Sequence, residues 1–293
     1  MTLYVIANPH AGSHQAQTVA EQIKKYYTTQ EIAVFYTRYK DDEKYQVEQI
    51  LKKFKEKDKI IIIGGDGTLS KSLYHLPQTI PFAYFPVGSG NDFARALSLP
   101  SLQETLDFID NNKIKEVTFY EYNDGLIVNS LNLGFAAWVV NQAADSSLKK
   151  ALNNLHLGKL TYIIVAILSL FKNPSTTVTI KRADGTSKKL KDYFFFSLAN
   201  NTYFGGGIMI WPTATALEKS LEIIYGKGNS FYHRFKILLS IVFKRQELSN
   251  HLYHEQLENV SLEFSKDNII EIDGEIITAE NLTFTSQKRY LYL

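Results

Sequence analysis

Three short stretches of the chain carry residues that can do chemistry. Gly64-Gly65-Asp66-Gly67-Thr68 closes an aliphatic run that begins at Ile60. Its glycines strip Cβ atoms from the turn, so backbone N–H groups can approach a bulky anion, most naturally a phosphate chain. Leu69, Leu73 and Leu76 follow at helical spacing, and the positive end of that helix opens beside the same turn. Asp66 sits in this loop, either as a helix cap or as a group for a metal. Gly88-Ser89-Gly90-Asn91-Asp92 repeats the arrangement, with the Ser89 hydroxyl as an extra donor and Arg95 one turn on. Asn91 and Asp92 are N-caps in the plain reading; beside phosphates, such groups serve a magnesium ion or a ribose hydroxyl. The third stretch, Ile269 to Glu275, delivers Asp273 and Glu275 on either side of Gly274. Alone it is a turn with solvated acids. In a phosphoryl transferase it supplies the carboxylate that receives the acceptor's proton. An aspartate of ordinary acidity suffices there, because the hydroxyl becomes acidic only as it bonds to phosphorus.

Strands and helices must hold these loops. Leu3–Ala7, Ile32–Thr37, Ile60–Ile63 and Phe82–Val87 read as strands, and helical patterns stand between them. Val19 and Ile23 mark one helix, and Val47, Ile50, Leu51 and Phe54 another. Ser101 with Glu104 makes a capping box for a third. The alternation predicts an open, mostly parallel α/β sheet with ligand loops at the carboxyl ends of its strands. Near residue 120 the pattern changes. Val117–Tyr122, Gly125–Leu133, Thr176–Arg182, Tyr193–Ala199, Ser220–Tyr225, Asn259–Phe264, Ile269–Ile272 and Leu282–Thr285 read as strands. Asp184-Gly185 and Asp273-Gly274 are hairpin signals between them. A second, antiparallel, sandwich-like all-β domain over residues 121–285 is expected after an α/β domain over 1–120, with the tail 286–293 a candidate to return to the first. Two apolar stretches interrupt the β pattern. Lys159–Lys172 is too short to span a bilayer and is expected as a buried helix. Phe231–Arg245 is either a helix packed on the sandwich or one lying in a membrane interface, with Arg234, Lys236, Lys244 and Arg245 toward headgroups.

Composition sets the outer bounds. The 293 residues suffice for two domains, and a net charge of +2 argues against a generally basic nucleic-acid binder. With no cysteine, disulfides, zinc–thiolate sites and cysteine nucleophiles are excluded, which fits a reducing cytoplasm. The first residues, MTLYVIANPH, lack the basic and apolar regions of a signal peptide.

The motifs Asn8–Gly12 (NPHAG), Gly64–Thr68 (GGDGT), Gly88–Arg95 (GSGNDFAR), Gly205–Pro212 (GGGIMIWP) and Asp273–Glu275 (DGE) occur in an order that resembles the diacylglycerol kinase catalytic family. That family includes bacterial soluble lipid kinases and the sphingosine and ceramide kinases. GGDGT alone is shared with NAD kinases and phosphofructokinases; GSGNDFAR points to the lipid branch. The resemblance implies ATP and Mg2+ in a cleft between an α/β domain and a β-sandwich. It implies a lipid substrate entering between the domains, contact with a membrane surface, a place in phospholipid biosynthesis and, in many soluble relatives, a homodimer. Carried over by position, it assigns Asn8, Gly64, Gly65, Asp66, Gly67 and Thr68 to ATP phosphates and magnesium. Gly88, Ser89, Asn91 and Asp92 complete the nucleotide site, Asp273 is the general base, and Glu275 is an acid beside the nucleotide or metal.

The chain also departs from the pattern. Ser13, His14 and Gln15 stand where relatives carry Lys or Arg, Ala136 where many have Asp, and Lys219-Ser220 where Asp-Gly is common. Glu218 is the remaining acid for a structural magnesium site. Two other functions compete with a lipid kinase. An NAD-kinase-like enzyme would show an Asn-Glu pair where Asn91-Asp92 stands. A non-catalytic regulator has no physical need to keep Asp66 and Asp273 together.

Overall fold

The aliphatic runs of the first half become parallel strands. In the computed structural model, which describes residues 1–12, 15–145, 158–265 and 268–293, this half alternates strand and helix. Its elements are β1 (Thr2–Ala7), α1 (Ala16–Tyr26), β2 (Glu31–Tyr36), α2 (Glu43–Leu51), β3 (Lys59–Gly64), α3 (Asp66–His75), β4 (Phe82–Pro86), α4 (Asp92–Ala96) and α5 (Leu102–Asp110). Strand β3 lies between β1 and β4, parallel to both. Ile60 and Ile62 face one apolar cluster with Leu69, Leu73 and Phe93; Ile61 and Ile63 face the other with Val19, Ile23 and Leu106. Burial on both faces is why the run is continuously aliphatic. Each isoleucine contributes roughly 1.5–3 kcal/mol, which anchors the strand end where the GGDGT turn begins. The capping box of Ser101 and Glu104 opens α5.

The second half contains β5 (Ile114–Tyr122), β6 (Gly125–Ile127), β7 (Ser130–Gly134), α6 (Phe135–Asp145), α7 (Gly158–Lys172), β8 (Thr176–Arg182), β9 (Ser187–Tyr193) and β10 (Phe195–Ala199). There follow β11 (Tyr203–Phe204), β12 (Ile208–Met209), β13 (Leu221–Gly226), α8 (Phe231–Val242), β14 (Tyr253–Leu257), β15 (Val260–Phe264), β16 (Ile270–Ile272), β17 (Glu275–Ile277) and β18 (Asn281–Tyr292). An antiparallel sheet in the order β14-β13-β10-β7-β16-β17 packs one face on β8, β9, β15 and β18, around Leu133, Phe196, Ile223, Leu262 and Phe284. Its other face, through Phe195 and Ile224, is covered by α6, α7 and α8.

Strand β18 belongs to both halves. Asn281–Phe284 pair with β15, Thr285–Tyr292 pair with β5, and Leu291 lies opposite Phe82 of β4. It also carries Arg289, which is fully buried and donates to the carbonyls of Leu73 (2.8 Å) and Leu76 (2.5 Å). A cation is thereby placed on the negative end of α3.

Several expectations need correction. Gly125–Leu133 is not one strand: it breaks at Val128-Asn129, whose N–H groups turn to the Asp273 carboxylate instead of to a neighbouring strand. GGDGT is a helix start rather than a free loop, because Asp66 is the first residue of α3. The apolar helix α7 is not buried all round: Val165 and Leu170 face the core, while Ile167, Leu168 and Phe171 are exposed. In α8, Ile237 and Ile241 pack on the sheet. Arg234 is not free for headgroups, since it donates to the carbonyls of Leu170 (2.7 Å) and Gly228 (2.8 Å). Among the described residues, no helix is long and apolar enough to cross a membrane.

Candidate active site

Strands β1, β3 and β4 run parallel, so their carboxyl ends deliver three loops to one edge of the sheet. They meet backbone to backbone. A Cβ on Gly88 would lie 2.6 Å from the Gly65 Cα, and one on Gly12 would lie 2.2 Å from the Val87 carbonyl oxygen. No other residue fits at either contact, so the glycines set how closely the loops approach. Asn8 fastens the first loop to the second: its Nδ2 donates to Thr68 Oγ1 at 3.0 Å, and its Oδ1 accepts from the His10 N–H at 2.9 Å. The Asp66 carboxylate accepts from the Asp92 N–H at 2.7 Å, fastening α3 to α4. Gly67 is exposed at the first turn of α3, and Ser89 is exposed at the tip of its loop. Asn91 has a left-handed φ of 53° and donates from Nδ2 to the Gly88 carbonyl at 2.9 Å, while its buried Oδ1 has no partner.

Asp92 is buried and committed on both oxygens. One accepts from Arg95 Nη1 at 2.6 Å and the other from the Gly206 N–H at 2.8 Å. This explains the separation of GSGNDFAR from the GGG run: the carboxylate of one holds the backbone of the other. Asp92 therefore builds the wall of the site.

Asp273 and Gly274 form the hairpin turn between β16 and β17, with left-handed φ values of 48° and 91°. Both positions of a type I′ turn need such values, and aspartate tolerates them. The Asp273 carboxylate accepts from the N–H groups of Val128 (2.7 Å), Asn129 (2.8 Å) and Ser130 (2.9 Å). Beside it, buried Glu271 accepts from Asn132 Nδ2 at 2.6 Å and from the Gly274 N–H. Asn132 is oriented in turn by the Ser197 hydroxyl, which donates to its Oδ1 at 2.7 Å. Burial pushes Glu271 up to about 7, against the donors that hold it. Burial also pushes Asp273 up to about 7, with the Glu271 charge adding to the rise and the three N–H groups opposing it. This differs from the aspartate of ordinary acidity expected from the sequence.

The two halves face each other across a cavity of about 380 Å³, lined by Gly67, Ser70 and Lys71 of α3, by Tyr122 and Leu126, and by Asp273 and Glu275. Lys71 spans it, with Nζ 2.8 Å from Glu275 Oε1 and 2.6 Å from Asp41 Oδ1. Sequence reading missed Lys71, Asp41, Glu271 and Asn132. Glu271 left one trace, an acid inside an aliphatic strand.

Burial raises the proton affinity of four acids at the site. Burial pushes Asp66 up to about 6, and the nearby Asp92 charge adds to the rise. Asp92, Glu271 and Asp273 are raised by burial as well, and the Asp92 charge adds to the rise at Glu271. Magnesium is commonly held by one or two carboxylates together with substrate phosphates, and Asp66 beside the glycine loops fits that pattern. Glu218 does not: it is exposed in the turn before β13, and no group of three or more His, Cys, Asp or Glu side chains that could hold a metal is gathered among the described residues. Ala136 is buried in the apolar cluster under α6, and Lys219 pairs with Glu258 at 3.6 Å. Ser13 and His14 lie outside the described residues.

Comparison with known proteins follows the same lines. Residues 2–122 match the family model for the diacylglycerol kinase catalytic domain. The Bacillus subtilis protein YtlR, provisionally named a lipid kinase, is 24% identical over 94% of this chain and 93% of its own. A Mycobacterium tuberculosis diacylglycerol kinase is 26% identical over 74% of this chain and 68% of its own. Among solved structures, a Bacillus anthracis protein provisionally described as a diacylglycerol kinase superposes with a TM-score of 0.75 at 20% identity, covering 99% of this chain and 94% of that one. An NAD kinase from Archaeoglobus fulgidus, solved with ATP, shares the fold at a TM-score of 0.53 and 13% identity, over 100% of this chain and 94% of that one.

Proposed function

From the match of residues 2–122 to the family model for the diacylglycerol kinase catalytic domain, we propose that this protein transfers the γ-phosphoryl group of ATP to a hydroxyl of diacylglycerol or a related lipid. The observation that carries this reading is the glycine-to-glycine contact of the GGDGT and GSGND turns, which open at the start of α3 beside a cleft that also holds Asp273. Backbone N–H groups there bind phosphate oxygens without side chains in the way. Asn8 and Thr68 brace the loops, Ser89 offers a hydroxyl at the rim, and Asp92 with Arg95 keeps the far wall in place. A magnesium ion held by Asp66 would neutralise phosphate charge during transfer.

Asp273 is the residue that takes the acceptor's proton. A carboxylate offers about four lone-pair sites, and three are occupied by the N–H groups of Val128, Asn129 and Ser130. The remaining site serves the lipid hydroxyl, and the fixed N–H groups prevent the carboxylate from rotating away. A proton affinity near neutrality suits a general base. Glu275 and Lys71 join the two walls of the cleft and Gly67 lines it, while the glycines at 64, 65 and 88 belong to the turns packed beside it. The reading makes the protein a cytoplasmic enzyme that visits the membrane holding its substrate.

The test is incubation with ATP, magnesium and a total lipid extract, followed by mass spectrometry, in parallel with NAD. A phosphorylated lipid is expected, and Asp273→Asn should lose turnover while still binding ATP. Phosphorylated NAD with no lipid product would replace this reading, and ATP binding without any product would point to a regulator.

A further inference from the structure

Helices α7 and α8 are apolar on two sides. Their inner sides are accounted for: Val165 and Leu170, with Ile237 and Ile241, complete the cluster under the antiparallel sheet. Their outer sides are not. Phe171 is 69% exposed, Phe243 is 65% exposed, and Ile167, Leu168, Phe231, Phe235 and Val242 are exposed as well. Three of these residues are joined into one aromatic surface. Phe171 of α7 packs against Phe231 of α8 with ring centroids 5.1 Å apart, and Phe231 stacks on Phe235 one turn later at 6.3 Å. In α8 the exposed positions 231, 235 and 242 follow one helical stripe, about a third of a turn from the stripe of Ile237 and Ile241. Contiguous apolar surface of this kind marks an interaction site.

The charges around it select the partner. Lys172, Lys227, Lys236, Lys244 and Arg245 are exposed on these two helices and at their ends, and neither 158–172 nor 227–246 contains an Asp or Glu; the next acid is the exposed Glu247. The whole chain carries a net charge of only +2, so the excess is local. A second copy of the chain is a poor occupant: a two-fold contact would set five cations against their own copies, more than the neighbouring Glu247 can pair. Aromatic rings within a rim of lysines match an anionic lipid surface, where the rings enter the acyl boundary and the ammonium groups meet headgroup phosphates.

We propose that the outer faces of α7 and α8 dock the protein on an anionic bilayer, with Phe171, Phe231 and Phe235 inserted and Lys172 and Lys236 against the headgroups. The docking is separate from phosphoryl transfer: it uses none of the residues of the cleft, and it is read by binding alone. Either reading can therefore fail without the other.

The full chain is floated with vesicles of phosphatidylcholine alone and of phosphatidylcholine mixed equally with phosphatidylglycerol. Partition onto the mixed vesicles is expected, weakening with salt. The combined change Phe171→Ser, Phe231→Ser and Phe235→Ser should lower it by about tenfold or more. Lys172→Gln with Lys236→Gln should lower it by about fivefold for each lysine, on the mixed vesicles only. Phe231→Trp, made in the otherwise native chain, should gain fluorescence that brominated lipids quench. Absence of flotation on the mixed vesicles, unchanged flotation of the serine variant, or an unquenched Trp would each overturn the proposal. A serine variant that only turned a dimer into a monomer in sedimentation, with its vesicle binding intact, would assign the face to a second copy of the chain and overturn it as well.

Discussion

Replacing Glu271 by glutamine separates two opposed effects on a buried acid. The carboxylate is enclosed between β7, β16 and α6, and burial pushes its affinity for a proton from the ordinary 4.5 up to about 7. Such a group binds a proton in the folded state at pH values where the unfolded chain has released it. Folding stability therefore falls as pH rises from about 4.5 to about 7, and is level above. At roughly 1.4 kcal/mol for each tenfold change in proton affinity, the loss is about 3 kcal/mol. Glutamine has no such dependence. It has a fixed cost, because both carboxylate oxygens accept from donors, the Asn132 amide and the Gly274 N–H. While the Ser197 hydroxyl goes on donating to its Oδ1, Asn132 keeps this orientation. One amide hydrogen then faces a donor, at a cost of about 1–3 kcal/mol at every pH. Urea unfolding of both proteins at pH 4.5 and pH 8 reads the difference. Glu271→Gln should be the less stable protein at the low pH and should recover by about 3 kcal/mol relative to the native chain at the high pH. A stability difference that did not change with pH would show that the donors outweigh burial and that Glu271 is an ordinary carboxylate, and the argument from desolvation would fall.

Other outcomes follow from the same geometry. Gly88→Ala places a methyl group 2.6 Å from the Gly65 Cα; it should cost about 1–3 kcal/mol in thermal unfolding and weaken ATP binding measured by calorimetry. Arg289→Met should cost about 2 kcal/mol in urea unfolding, because two carbonyls at the end of α3 lose their donor while the expense of burying the guanidinium is removed. Lys71→Met should cost less than about 1 kcal/mol, since its partners Glu275 and Asp41 are well exposed. The rate with a lipid acceptor should rise as pH passes up through about 7, where Asp273 ionises, and a flat profile from pH 6 to pH 8 would remove Asp273 as the base.

What could be read in advance was what local chemistry dictates. Ile60–Ile63 announced a strand buried on both faces, and the glycine turns announced close backbone approach, because both signals lie within a few consecutive residues. The Asp273-Gly274 turn and the Ser101 capping box were legible for the same reason. The partners of these residues were not. Asp92 meets Gly206 across 114 positions, and Lys71 meets Glu275 across 204; no spacing rule reaches that far. Alternation along β16 sets Glu271 on the face opposite Ile270 and Ile272, and only the packing of α6 on β16 makes it a buried acid. In α7 the run LTYIIVAILSLF gave apolar content without period, so its exposed side could not be distinguished from its buried one.

The path of β18 has a consequence for how the protein is made. During synthesis, β4 and β5 emerge long before the strand that pairs with both of them, and α3 emerges long before the guanidinium that closes its far end. Until β18 arrives, the nascent first half exposes unpaired strand edges that invite association with other chains. Completing it requires joining segments far apart in the chain, a slow kind of closure. The two halves are therefore poor candidates for separate expression: a fragment cut near residue 120 would lack the strand that finishes its own sheet.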